Sequence, residues 1–245
     1  MKTNYYTTKI LCAALIIAGI AFGISSCKKD STSSSNSLAS TTVTEADAAQ
    51  FTSDAVSPST DGFGGQLSKT ASLYTTIPLL CGAKKDTTYI AASAKGATPS
   101  YADTLSWDLA LNCNGSVPSN VSLTFAGKGV YNGQYMSAQD TSAAQFVLTG
   151  SSSGYLLTAN YTRVGVAISK IAKQYTFSTT LNIQSTNIVV DKTTQQIVSG
   201  TAVVTIVATS TSGKSFNFNG TITFLGNKTA SLKLNSGKVY PISWS

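Results

Sequence analysis

The chain has 245 residues, 17 Lys and Arg against 10 Asp and Glu, no histidine and 42% apolar residues. Its formal charge of +7 is spread along the chain, and beyond residue 30 no basic run exceeds Lys84-Lys85, so it lacks the basic stripe with interleaved aromatics of a nucleic-acid binder. Without histidine, and with no D-x-[DN]-x-[DN]-G loop, zinc, copper and calcium lack their usual ligands, and no metal or cofactor is expected.

Lys2 and Lys9 precede an almost unbroken apolar stretch, Ile10 to Ile24, of the length of a signal-peptide apolar region. A transmembrane helix needs about 20 apolar residues, and this run stops at Ser25-Ser26 before a charged, Ser-rich segment. Export with cleavage of the leader is therefore expected. Ile24-Ser25-Ser26-Cys27 resembles the lipobox of Gram-negative bacterial lipoproteins, an aliphatic residue and two small ones before a cysteine. The resemblance implies cleavage after residue 26, acylation of Cys27 with palmitate-type chains, and membrane attachment through that lipid. In such lipoproteins an aspartate after the cysteine marks inner-membrane retention. Lys28 stands there instead, which points to the outer membrane and leaves open whether the protein faces the periplasm or the cell surface. Beyond the leader, the chain resembles uncharacterised bacterial lipoproteins in texture only.

Residues 27–43 form a Ser/Thr-rich tether expected to be flexible. In residues 44–72, "TEADAAQFTSDAV" is helix-like: Thr44 can cap, Asp47 sits in the first turn, and "SPSTDGFGG" then breaks the helix. This region is expected as one short helix or as an irregular segment.

Cys12 lies in the leader and Cys27 is assigned to lipid, leaving Cys81 and Cys113 in an exported chain. An even pair in an oxidising compartment is expected to be bridged.

From about Leu73 to Ser245 the pattern turns to a period of two. Leu105, Trp107, Leu109 and Leu111 alternate with Ser106, Asp108, Ala110 and Asn112. The pattern returns in Leu123 and Phe125, in Tyr175, Phe177, Leu181 and Ile183, and in Phe216, Phe218, Ile222 and Phe224. Ala202 to Ala208 is apolar on both faces and reads as a central strand. Asn132-Gly133, Ser212-Gly213-Lys214, Gly226-Asn227-Lys228 and Ser236-Gly237-Lys238 supply tight turns, so successive strands must be antiparallel. The expected fold is all-β, an antiparallel meander of about ten strands forming a barrel, a sandwich or a strongly curved sheet, with Thr44 to Val56 as the spare cover. The expected core is Leu105, Trp107, Leu109, Leu123, Phe125, Phe146, Leu148, Phe177, Leu181, Val203, Phe216, Phe218 and Leu232.

Three motif matches lack their chemistry. "GSSSG", Gly150 to Gly154, fits a nucleophile elbow, but there is no histidine base and no following helix. "ATSTSGKS", Ala208 to Ser215, fits a relaxed phosphate loop, but a strand pattern follows where the helix N-terminus should be. Among carboxylates, Asp103 and Asp108 are near neighbours, yet five residues apart on one strand they face opposite ways, a poor start for a glycosidase pair. Trp107 and Trp244 read as core. With no catalytic residues assigned, the sequence favours an envelope-anchored, non-catalytic binding or structural module whose partner is a glycan or an envelope protein. The alternatives are a glycan-acting enzyme and a membrane-associated β-barrel.

Overall fold

The computed structural model describes residues 44–57, 62–76, 80–98, 100–132, 136–150, 154–169, 176–211 and 213–244. The leader, Cys27 and the tether lie outside the described residues, as do parts of the "GSSSG" and "ATSTSGKS" segments.

Helix α1 (Glu45–Val56) starts where the sequence places it. Asp47 N–H donates to Thr44 Oγ1 at 3.2 Å while Thr44 N–H donates to Asp47 Oδ2 at 2.7 Å, a capping box, and Glu45 and Asp47 put negative charge at the positive end of the helix. Its buried residues Ala48, Ala49, Thr52, Ala55 and Val56 share one face. It ends at Ser57, whose extended backbone suits the residue before a proline, here Pro58.

A second helix, α2 (Phe63–Thr76), corrects the expectation that the chain is broken here and that the sheet begins near Leu73. Two glycines in its first turn each cost about 1 kcal/mol of helix propensity and hide it from a local reading. Burial offsets this, because Phe63, Gln66, Leu67, Thr70 and Ala71 form a stripe at helical spacing, all hidden from solvent. Gly62 makes the corner between the helices. A Cβ there would lie 2.5 Å from the Ala55 carbonyl oxygen, so only glycine lets α2 start so close to the last turn of α1.

The rest is one sheet of ten strands in sequential order, each antiparallel to its neighbours. These are β1 (Lys84–Ala92), β2 (Ser100–Asn114), β3 (Val117–Asn132), β4 (Met136–Gly150), β5 (Tyr155–Ser169), β6 (Thr176–Val190), β7 (Ile197–Ser210), β8 (Ser215–Gly226), β9 (Thr229–Leu234) and β10 (Val239–Ser243). The sheet is neither a two-sheet sandwich nor closed by a β1 to β10 pairing; its apolar face is covered by α1, against β6 and β10, and α2, against β3 and β4. Short loops set the topology: Asn227 and Lys228, both at positive φ (50° and 58°), make the two-residue hairpin between β8 and β9.

Register aligns the core across strands, with Trp107 opposite Phe125, Phe125 opposite Ala144, Ala144 opposite Tyr161, Tyr161 opposite Ile183 and Ile183 opposite Val204. Phe63 of α2 packs edge-on against Phe146 and Tyr161 and stacks on Phe224. Leu105, Trp107, Leu109, Leu123, Phe125, Phe146, Leu148, Leu181 and Leu232 are buried as the alternation requires. Val203 is not: it is 58% exposed, because β7 turns Ala202, Val204, Ile206 and Ala208 to the helices and Val203 and Val207 to solvent. β-Branched residues suit a strand on either face, so an apolar run did not mean burial on both. Phe177, Phe216 and Phe218 are only half-buried, at the end of the covered face where burial fades. Cys81 and Cys113 are bonded, with Cα atoms 5.7 Å apart, tying the chain after α2 to the end of β2.

Candidate functional site

Two polar constellations stand out from the apolar sheet. The first lies on the covered face. On β5, Arg163 follows Tyr161 on the same side of the strand. Its Nη2 donates to Asp140 Oδ2 of β4 at 2.7 Å and its Nη1 to the Asp54 carbonyl in the last turn of α1 at 3.2 Å. A cation there meets both a carboxylate and the negative end of a helix. Burial works against the Arg163 charge, but Asp140 foremost, with Tyr161 and Asp54, outweighs it and holds its pKa above the usual value. Asp54 is pushed up by burial, with Gln50 and Arg163 opposing. Tyr161 is pushed up to about 12, again chiefly by burial. Its hydroxyl sits beside Ser142 and Arg163 and makes no hydrogen bond of good geometry.

Asp103 joins this group through register. Asp103 is opposite Gly129, which is opposite Asp140. A Cβ on Gly129 would lie 2.7 Å from Asp103 Oδ1 and 3.8 Å from Asp140 Oδ1, so both carboxylates flank the space a side chain would fill above the bare backbone of a glycine. The pair considered from sequence separates: Asp103 is half-buried on the covered face, whereas Asp108 is exposed on the other, opposite Thr124. Only hairpin register brings Asp140 to Asp103; no local signal does. Trp107 is buried, its Nε1 donating to Gln66 Oε1 at 2.8 Å, and Trp244 packs against Phe224. Among the described residues, the strand β7 ends at Ser210 and β8 starts at Ser215, so a strand follows where a phosphate loop needs a helix N-terminus.

The second constellation is on the open face, where β6 carries an irregularity. Buried positions along β6 are Leu181, Ile183 and Ser185, then Ile188 and Val190, so the parity of the strand switches and its pairing with β7 shifts. The irregularity is held by side chains. Ser185 Oγ donates to the Thr201 carbonyl, Thr201 N–H donates to Asn187 Oδ1 at 3.1 Å, and Asn187 Nδ2 donates to Thr201 Oγ1 at 3.2 Å. The result is an open depression of about 390 Å³ rimmed by Thr158, Asn160, Gln184, Asn187, Thr201 and Thr221, over a floor that includes Ala159 and Ala202. Amides and hydroxyls line it, and no lining residue is titratable. Such a surface can donate and accept hydrogen bonds but cannot supply a general acid or base.

Among the described residues, no three metal-ligating side chains converge and no helix is long and apolar enough to cross a membrane. No protein-family model, curated protein or solved structure matches the chain.

Proposed function

We propose that this chain is an outer-membrane lipoprotein, anchored through acyl chains on Cys27, whose sheet binds a neutral, hydroxyl-rich ligand, a glycan, without transforming it. The observation that carries the binding reading is the depression at the β6 irregularity. Side-chain amides and hydroxyls there match the donors and acceptors of sugar hydroxyls, and the absence of a titratable lining group speaks for binding over catalysis. The anchor rests on Ile24-Ser25-Ser26-Cys27 and places the sheet at the end of a Ser/Thr-rich tether.

A glycan panel titrated against the full-length protein in detergent, with reducing ends assayed in parallel, tests the reading. Saturable binding that falls at least tenfold in Asn160→Ala/Gln184→Ala, with no sugar released, supports it. A second reading, a glycan-acting enzyme, draws on the Asp103 and Asp140 carboxylates flanking Gly129. Sugar release that is lost in Asp103→Asn would favour that reading and sink the first. A membrane-spanning barrel would need β1 and β10 paired, and among the described residues they are not.

A further inference from the structure

The open face of the sheet differs from an ordinary solvated face. Within β4 to β8 the only charged residues are Asp140 and Arg163, and both turn to the covered face. What these five strands show to the open side is therefore uncharged, Thr, Asn and Gln interleaved with exposed Val147, Val164, Val166, Val203 and Val207. A surface that serves solubility alone carries charge of both signs on about a quarter or more of its residues.

Strand register orders this face into a row that runs across the strands. Thr124 is opposite Gln145, Gln145 opposite Asn160, Asn160 opposite Gln184, Gln184 opposite Val203 and Val203 opposite Thr221. Charge returns only past its ends, with Asp108 opposite Thr124 and Lys233 opposite Thr221. Other amides of this face are engaged within the protein: Thr162 Oγ1 donates to Asn182 Oδ1 at 2.8 Å, and Asn187 is bonded to Thr201. Among the described residues, the Gln145, Asn160 and Gln184 side chains make no such bond, so three amides on adjacent strands keep their donors and acceptors open. The depression at the β6 irregularity lies along the same row. Its lining passes from β5 across β6 and β7 to β8, three strand intervals or about 14 Å, and past Asn160 the row runs on to Gln145 and Thr124. A closed pocket holds a single unit or a chain end, whereas a trough that continues into further open amides holds a length of chain.

We propose that the ligand is a linear, uncharged polysaccharide, held along an internal stretch of its chain, which lies across β4 to β8 with the depression as its central subsite. The inference rests on the glycan-binding reading above and names the kind of glycan. Strands recur about every 4.8 Å, close to the advance of one pyranose unit along an extended chain, so successive units meet successive strands. Each unit then finds an amide or hydroxyl of the row, and Val203, in the lining of the depression, gives the C–H face of a ring an apolar contact. An anionic chain would lose hydration over this row and gain no cation in exchange between Asp108 and Lys233.

The test is calorimetric binding to the full-length protein in a detergent without a sugar headgroup. The probes are size ladders of α- and β-linked glucose, xylose and mannose oligomers, their parent polymers, and polygalacturonate as the charged probe. In at least one neutral ladder the affinity should rise at least tenfold from disaccharide to hexasaccharide, and the parent polymer should compete as well per unit length as the hexasaccharide. Gln145→Ala, outside the depression, should weaken the hexasaccharide at least threefold and flatten the rise. Gln139→Ala, exposed on the same face of β4 but off the row, should change neither. Equal affinity for disaccharide and hexasaccharide, a polymer that competes only in proportion to its chain ends, or a hexasaccharide affinity untouched by Gln145→Ala would overturn the proposal and leave the glycan-binding reading standing. Tighter binding of polygalacturonate, or no binding of any probe, would overturn both.

Discussion

Trp107 on β2 and Gln66 on α2 are joined by an indole N–H to amide oxygen bond of 2.8 Å in a place where both residues are buried. The bond fixes α2 over the sheet, and the Lys69 ammonium, 5.6 Å from the indole ring centroid, lies over the same side chain. Removing the acceptor leaves a buried donor unpaired. Gln66→Ala is therefore expected to cost about 2 to 3 kcal/mol, combining a lost bond with an unsatisfied N–H. Urea unfolding measures it, and a change below about 0.5 kcal/mol would show that water reaches the indole.

The Arg163 junction predicts a contrast between neighbours. Arg163→Met strands Asp140, whose side chain is only 17% exposed, and frees the carbonyl at the end of α1, so a loss of about 3 kcal/mol is expected. Tyr161→Phe removes a buried hydroxyl that makes no good hydrogen bond, and it should be neutral or slightly stabilising. If Tyr161→Phe proves as costly as Arg163→Met, the hydroxyl has a partner that this geometry lacks.

Asp54 gives a pH dependence of defined sign. Burial raises its folded pKa above the ordinary 3.8, so between 3.8 and the raised value the folded state holds more protons than the unfolded one. Its contribution to stability is greatest below 3.8 and is lost as pH rises through the folded pKa. Asp54→Asn should flatten that part of the stability profile and leave the protein no less stable at neutral pH. Arg163→Met, which removes a charge that lowers the Asp54 pKa, should extend the sloping region upward. Chemical denaturation at a series of pH values reads both, and an unchanged slope in Asp54→Asn would assign it to other groups.

These residues also mark where sequence reading stops. The alternation of Leu105, Trp107 and Leu109 is written locally, because one covered face demands a period of two, and the cap at Thr44 is equally local. Cys81 and Cys113 were legible as the pair that remains once Cys12 and Cys27 are assigned to the expected leader and lipid. The second helix was hidden, since Gly64 and Gly65 argue against a helix and the packing of Phe63 and Leu67 that overrides them is tertiary. Asp140 and Arg163 were invisible for another reason. Which residues meet across β2, β3, β4 and β5 depends on four strand registers, and Asp103 was matched to Asp108 simply because they are close in sequence. The depression at β6 arises from a one-residue change of parity, which a run such as "NIQSTNIVV" does not announce.

The Cys81–Cys113 bridge closes a loop with a sequence separation of 32 residues. On the chain-entropy model its removal, as Cys81→Ser/Cys113→Ser, should cost about 3 to 4 kcal/mol. The double variant should keep the β-rich far-UV spectrum while its denaturation midpoint falls. Reduction of the wild type should reproduce that shift, and a shift seen in the variant but not on reduction would trace the loss to the serine substitutions.

Two glycines with equally short hypothetical contacts should respond differently to alanine, and the difference tests how the helical cover is built. At Gly129 the added Cβ meets the end of the Asp103 side chain at 2.7 Å, and a carboxylate can swing aside toward solvent at the half-open end of the sheet. At Gly62 it meets the carbonyl oxygens of Ala55 and Ser57 at 2.5 and 2.7 Å, and backbone cannot move without lifting α2 from α1. That lift would also disturb Phe63, which is wholly buried beside Phe146, Tyr161 and Phe224. Gly62→Ala is expected to cost about 2 to 3 kcal/mol as an overpacked site, and Gly129→Ala less than about 1 kcal/mol. Thermal unfolding of the two variants side by side decides the order. Equal losses would mean that Asp103 is held as rigidly as backbone, and the Asp103 and Asp140 carboxylates would then form a fixed pair over Gly129.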